Sequence, residues 1–171
     1  MIRRRGLMSA TGTPSNALYW LGDECTAKTG GWVTIQPCWT STYWAASNRQ
    51  GRVTKNNDSV LLRGSASSNI STAPICTADK IFVQGKTKLI AELSECYEPI
   101  TKYTYVILGI TDTQVATGPG SYYKRKRVQP TPDSKIEVDV SGVDGEYYVI
   151  VLFEEQGSRE TYVTLTKVWL E

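Results

Sequence analysis

Histidine is absent from this 171-residue chain. That removes the commonest general base, the commonest metal ligand and the one side chain that ordinarily titrates near neutral pH. No Ser-His-Asp or Cys-His nucleophile can be assembled. Phenylalanine and methionine occur only twice each. The apolar run ALYWL at 17–21 has five residues, far short of the roughly 20 needed for a spanning helix, so no membrane insertion is expected. No CxxC pair occurs among the cysteines at 25, 38, 76 and 96, which argues against a zinc ribbon or a thioredoxin-like motif. Charge of one sign is also scarce. Nineteen Lys and Arg face seventeen Asp and Glu, a formal net of +2, and a nucleic-acid partner is not expected from so small an excess.

What is present is a chain that is 40% hydrophobic, with ten Tyr and five Trp. Its length suits one domain with a real core. Such a domain does not depend on disulfides. The four cysteines are therefore expected to be reduced and mostly buried, although three pairings would be open to them. Residues 1–14 read as a flexible basic leader: Arg3, Arg4 and Arg5 precede a stretch of Gly, Ser, Thr and Pro too polar for the apolar segment of a signal peptide. Residues 15–171 are expected to form a single domain.

Helical periodicity is rare in that domain, whereas alternation and β-branched runs dominate. Strands are expected in GWVTI (31–35), DSVLLRG (58–64), DKIFVQG (79–85), TKYTYVILGIT (101–111), SKIEVDVS (134–141), GVDGEYYVIVLFEE (142–155) and the terminal GSRETYVTLTKVWLE (157–171). TKLIAELSECYE (87–98) fits either a helix or a strand. Residues 112–132, rich in Gly, Pro and Thr, are expected to be a long loop holding the basic block Lys124-Arg125-Lys126-Arg127. In the last segment, alternation places Tyr162, Thr164, Thr166 and Val168 on one face, with Val163, Leu165, Lys167 and Trp169 on the other. About eight short strands without a βαβ rhythm predict an all-β, antiparallel β-sandwich, with a jelly roll as the best-fitting form.

The RRRGLM leader, LYWLGDECTAKTGGW, TKNNDSVLL, KIEVDVSGVDGEYYVIVLF and the terminal TLTKVWLE together resemble small tail-module structural proteins of prophages from Gram-positive, often gut, bacteria. Those proteins resemble galactose-binding-like and carbohydrate-binding-module jelly rolls. The resemblance spans residues 18–171 and is weakest over 112–132. It implies membership of a tail or fibre, other tail proteins as partners and assembly in the bacterial cytoplasm, but it carries no catalytic signature. A homo-oligomer also fits such a role.

Three stretches hold candidate site residues. Asp23 and Glu24 are adjacent, so on a strand they point to opposite faces and cannot flank one scissile bond. They read first as part of a turn into a strand. The resemblance implies the alternative of a structural calcium held by Asp23, Glu24 and Glu171 as hard oxygen ligands. Trp39, Tyr43 and Trp44 cluster beside Ser47, Asn48, Arg49 and Gln50, a composition suited to stacking on a sugar ring, or equally to filling a core. Tyr122, Tyr123 and the block Lys124, Arg125, Lys126 and Arg127 interleave rings with charge, which suits an anionic glycan or simply a solvated tip. The expected function is a non-enzymatic, tail-associated structural or adhesion module. The alternative is a carbohydrate-binding module for a host-surface glycan.

Overall fold

The computed structural model describes residues 19–20, 32–34, 49–56, 59–64, 67–77, 80–97, 103–113, 122–157 and 160–171. Among them there are strands and no helix, hence none long and apolar enough to cross a membrane. In chain order the strands are β1 (Tyr19–Trp20), β2 (Trp32–Thr34), β3 (Arg49–Gln50), β4 (Arg52–Lys55), β5 (Val60–Arg63), β6 (Ser67–Thr77) and β7 (Ile81–Phe82). They continue as β8 (Lys88–Cys96), β9 (Tyr105–Thr111), β10 (Lys124–Val128), β11 (Ser134–Asp139), β12 (Glu146–Gly157) and β13 (Tyr162–Leu170). The proposed 1–14 leader lies outside the described residues.

Two sheets face each other. One runs β11-β8-β13-β5-β4, with β1 along β13; the other runs β10-β9-β12-β6-β2, with β3 along β6 and β7 along β12. Every pairing is antiparallel except β3 with β6. Eight strands carry the topology: β5, β6, β8, β9, β10, β11, β12 and β13. They pair as nested partners, β5 with β13, β6 with β12, β8 with β11 and β9 with β10. The first pairs the last and the fourth pairs the fifth, as in one long hairpin rolled over on itself. This is the jelly-roll order. The tip of the rolled hairpin is the connection between β9 and β10.

The core lies between the sheets. Phe153, Leu62, Ile75, Leu89, Leu93, Leu108, Ile110, Ile136 and Leu165 are fully buried, and all belong to one continuous cluster. Their strands obey the period-two rule: Val106, Leu108 and Ile110 face inward from β9, and Val149, Val151 and Phe153 face inward from β12. A smaller cluster of Cys76, Ile107, Ile150 and Leu152 lies apart from this core, with Tyr122 packed against it. Cys76 and Cys96 are in no disulfide, and burial pushes the Cys76 thiol up to about 12. Cys25 and Cys38 lie outside the described residues.

Several sequence expectations change. The ambiguous 87–98 segment is strand β8. Strand β6 was missed because SSNISTAPICT shows neither apolar alternation nor an unbroken apolar run, and it contains Pro74. On the edge away from β12, Pro74 falls between the residues paired with β3 (Ser71, Thr72) and those paired with β2 (Ile75 to Thr77), where a missing N–H costs no ladder bond to either. The expected 112–132 loop is not all loop, because Lys124–Val128 forms strand β10. The terminal strand also departs from simple alternation. Its ladder with β8 shifts between Thr164 and Leu165 and again between Leu165 and Lys167. Val163 and Leu165 face the core, and beyond the shift so do Val168 and Leu170. Val168 is therefore an inward residue, and Trp169 lies outside the core cluster, opposite Ile90. A bulge inserts one residue and exchanges the faces beyond it.

Candidate functional site

The basic block sits where the fold places a sheet edge. Strand β10 pairs only with β9 among the described residues, in the register Lys124 with Ile110, Arg125 with Gly109, Lys126 with Leu108 and Arg127 with Ile107. Because Ile110 and Leu108 face the core, Lys124 and Lys126 share that side, while Arg125 and Arg127 lie on the opposite one. Four consecutive charges are thus split two and two. A charged edge strand also blocks edge-to-edge pairing with another chain, which is a structural reason for the block.

The four charges are not equally available. Arg127 stands 3.4 Å from the centroid of the Tyr105 ring and pairs with Glu154 at 3.1 Å. Arg125 lies 5.7 Å from the Tyr122 centroid. On the other side, the Lys88 ammonium, hydrogen-bonded at 2.9 Å, holds the Glu137 carboxyl below its ordinary value, and Lys126 adds a smaller pull. The Ser141 hydroxyl and backbone N–H do the same for Asp139, with a smaller contribution from Lys124.

Tyr122 and Tyr123 part company. Tyr122 packs on the small apolar cluster, and its hydroxyl is buried without a partner. Burial first, and then the Glu154 charge, raise its phenol well above the usual range. Its ring lies over Gly109, where an added Cβ would come 2.7 Å from the Tyr122 ring and 2.7 Å from the Lys124 carbonyl oxygen. Gly109→Ala is therefore expected to cost about 1–3 kcal/mol through overpacking. Thermal melts of Gly109→Ala, Tyr122→Ala and the double variant check this. The two losses should be less than additive, because removing the ring relieves part of the clash.

Tyr123, by contrast, is 56% exposed and stacks on Tyr147 with centroids 5.2 Å apart and planes 24° apart. Burial, then the neighbouring Tyr123, Asp112 and Asp144, raise the Tyr147 phenol. Phe82, 57% exposed, sits opposite Glu146 on the adjoining β7–β12 ladder, and Lys80 lies 5.8 Å from the Tyr148 centroid. Tyr147, Tyr148 and Phe82 were not singled out in the sequence. The tandem tyrosines of GEYYV were the only signal, and they read as ordinary strand residues.

Trp39, Tyr43 and Trp44 lie outside the described residues, as do Asp23 and Glu24. Glu171 is exposed, and its carboxylate accepts the Trp169 Nε1–H at 2.9 Å. Among the described residues no three His, Cys, Asp or Glu side chains gather as a metal site.

No protein-family model and no curated protein matches this chain. Solved structures do. The tailspike protein 4 enzymatically active domain of bacteriophage CBA120 matches with a TM-score of 0.47 at 12% identity, covering 91% of this chain and 22% of that one. Accessory secretory protein 1, 2 and 3 of Streptococcus pneumoniae matches at 0.41 and 15% identity, over 71% of this chain and 88% of that one. A glycoside hydrolase family 43 arabinoxylan arabinofuranohydrolase from Bacillus subtilis, in complex with cellotetraose, matches at 0.41 and 13% identity, over 83% of this chain and 25% of that one.

Proposed function

We propose that this jelly roll is a non-enzymatic adhesion module of a phage tail, which presents the Tyr123–Tyr147 pair to a host-surface glycan. The observation that carries the reading is the exposed Tyr123 ring, held against Tyr147 at 5.2 Å immediately before β10. An exposed ring with a fixed partner offers an apolar face at little entropic cost, the feature that sugar stacking needs. The tail setting, with other tail or fibre proteins as partners and assembly in the bacterial cytoplasm, rests on the resemblance of the sequence segments quoted above. The non-enzymatic reading is supported by the missing histidine and by the burial of Glu155, a carboxyl raised to about 7 but 0% exposed. A calcium ion remains the metal proposal for Asp23, Glu24 and Glu171, whose donors are the hard oxygens such an ion takes.

The test is a binding series on purified Gram-positive cell walls from low to high salt. Stacking on Tyr123 predicts binding that changes little with salt and falls at least about tenfold in Tyr123→Ala, a loss of roughly 1.4 kcal/mol. Binding through the edge strand predicts a steep loss with salt, since exposed charges are screened beyond about 8 Å at physiological ionic strength. It also predicts loss in a variant with Ser at 124–127. Trp44→Ala examines the second aromatic set. If the wild type binds walls and none of the three variants changes that binding, the proposed surfaces are wrong. If the wild type does not bind walls at all, adhesion through a wall polymer is excluded.

A further inference from the structure

A row of arginine and tyrosine side chains crosses the sheet that does not contain β9, β10 and β12. Arg52 on β4 is directly opposite Arg63 on β5, and Arg63 is opposite Tyr162 on β13. Tyr97, just past β8, donates its backbone N–H to the Tyr162 carbonyl at 2.9 Å. The flanking Leu62 and Val163 belong to the core, so Arg63 and Tyr162 point outward. The Tyr97 and Tyr162 centroids are 5.9 Å apart with planes tilted by 40°, and the Arg63 guanidinium stands 5.7 Å from the Tyr162 centroid. Adjacent strands lie about 4.8 Å apart, so the row from Arg52 to Tyr97 runs roughly 14 Å.

The charges in this row do not balance. Like charges directly opposite on paired strands repel. Here one carboxylate, Glu160, lies between two guanidiniums, at 3.0 Å from Arg52 and 3.3 Å from Arg63. Among the described residues, one positive charge of this group is left over. Each guanidinium gives a single nitrogen to Glu160, whereas a guanidinium carries five N–H donors. All three side chains are open to solvent, at 69%, 36% and 44% exposure for Arg52, Arg63 and Glu160. A second cluster with two cations on one carboxylate, Lys135 and Lys167 on Glu92, differs in its ring, because the adjacent Trp169 is only 2% exposed.

We propose that the Arg52–Arg63–Tyr162–Tyr97 row binds a carboxylate-bearing sugar. The planar carboxylate lies across the unspent donors of Arg63 and Arg52, where fork geometry favours it over a point contact. The sugar ring rests against Tyr162 and Tyr97. Glu160 holds the two guanidiniums together in the unliganded protein and competes with the incoming carboxylate for their donors.

Isothermal titration at low salt tests this, with trigalacturonate, its neutral methyl ester and glucose 6-phosphate as probes. Trigalacturonate is expected to bind and the ester to bind at least tenfold more weakly. Glu160→Gln alters an exposed residue and should tighten trigalacturonate binding several-fold, a gain that misfolding cannot produce. Arg63→Gln and Tyr162→Leu should each weaken it about tenfold, while Tyr123→Ala should leave it unchanged, which separates this row from the adhesion surface proposed above. Equal binding of acid and ester overturns the proposal, as does a Glu160→Gln variant that binds no tighter than wild type. Tighter binding of glucose 6-phosphate than of trigalacturonate overturns the carboxylate assignment.

Discussion

Between pH 5 and pH 8 the melting temperature of this protein should fall, and Glu155→Gln should remove most of that fall. Glu155 extends the inward face of β12 beyond Phe153, at one end of the core. It is 0% exposed, and neither carboxylate oxygen has a hydrogen-bond partner. It pairs in register with Ser71 and packs on Gly64, where an added Cβ would come 2.8 Å from the Glu155 Cβ. The Gly64 N–H is bonded to the Thr161 carbonyl at 2.9 Å, and the Thr161 hydroxyl is buried without a partner. Arg63, the chain neighbour of Gly64, is turned to the outer face and bound to Glu160 at 3.3 Å. Burial alone therefore raises the Glu155 carboxyl from 4.5 to about 7. A carboxyl raised on folding binds more protons in the native than in the unfolded state. Its stabilising contribution is complete below the unfolded value and is lost as pH rises through the folded one. The window is thus about pH 4.5 to 7.

A shift of this size corresponds to roughly 3 kcal/mol, and relaxation of the surroundings around the ionised carboxylate reduces it toward 1 kcal/mol. At about 2–4 °C per kcal/mol for a domain of this size, the expected drop is roughly 2–12 °C. Glu137 and Asp139, whose carboxyls are held low by Lys88 and Ser141, lose their contributions only at more acid pH and leave this window clear. Melts of wild type and Glu155→Gln at pH 5 and 8 decide the matter. A wild type equally stable at both values, or a variant with the same slope as wild type, would show that the carboxyl is solvated or paired.

Trp169→Ala is expected to cost about 3–5 kcal/mol, the range for removing a large buried ring, against a total stability of about 5–15 kcal/mol for ordinary domains. Trp169 is 2% exposed although it lies outside the core cluster. It opposes Ile90, itself 3% exposed, and the Lys135 ammonium stands 5.3 Å from its ring. Its Nε1–H is donated to Glu171 at 2.9 Å. The variant loses the apolar contact, the cation over the ring and the indole hydrogen bond together. Denaturant unfolding measures the loss, and Trp169→Phe, which keeps the apolar part, should recover a good share of it. A variant as stable as wild type would mean that the ring packs against nothing that matters.

The strands that carry the fold were legible where one face is buried and the other wet. SKIEVDVS alternates because Ile136 and Val138 enter the core while Lys135, Glu137 and Asp139 stay outside. The Asp144-Gly145 turn was equally plain, since Gly145 adopts a φ of 98° that other residues avoid. Strand β6 was not legible, because polar Ser and Thr side chains fill many of its positions. Nor was the strand character of Lys124–Val128, since charge on both faces erases the alternation that marks a half-buried strand.

What the sequence determined by itself was the class of structure and the chemistry it excludes: all-β, antiparallel, and without any histidine-based site. Composition and period are local properties, and they survive without knowledge of what lies opposite. Only the tertiary structure decided which residues meet. The bulge in β13 that carries Val168 inward and Trp169 outward is a matter of register with β8. The parting of Tyr122 from Tyr123 depends on the missing side chain of Gly109. The row from Arg52 to Tyr97 joins residues from four separate segments, and the burial of Glu155 is set by Gly64 and Thr161 at the end of the opposite sheet. Each is a long-range pairing, fixed when β5 closes on β13 and β6 on β12, and no pattern of neighbours along the chain encodes it.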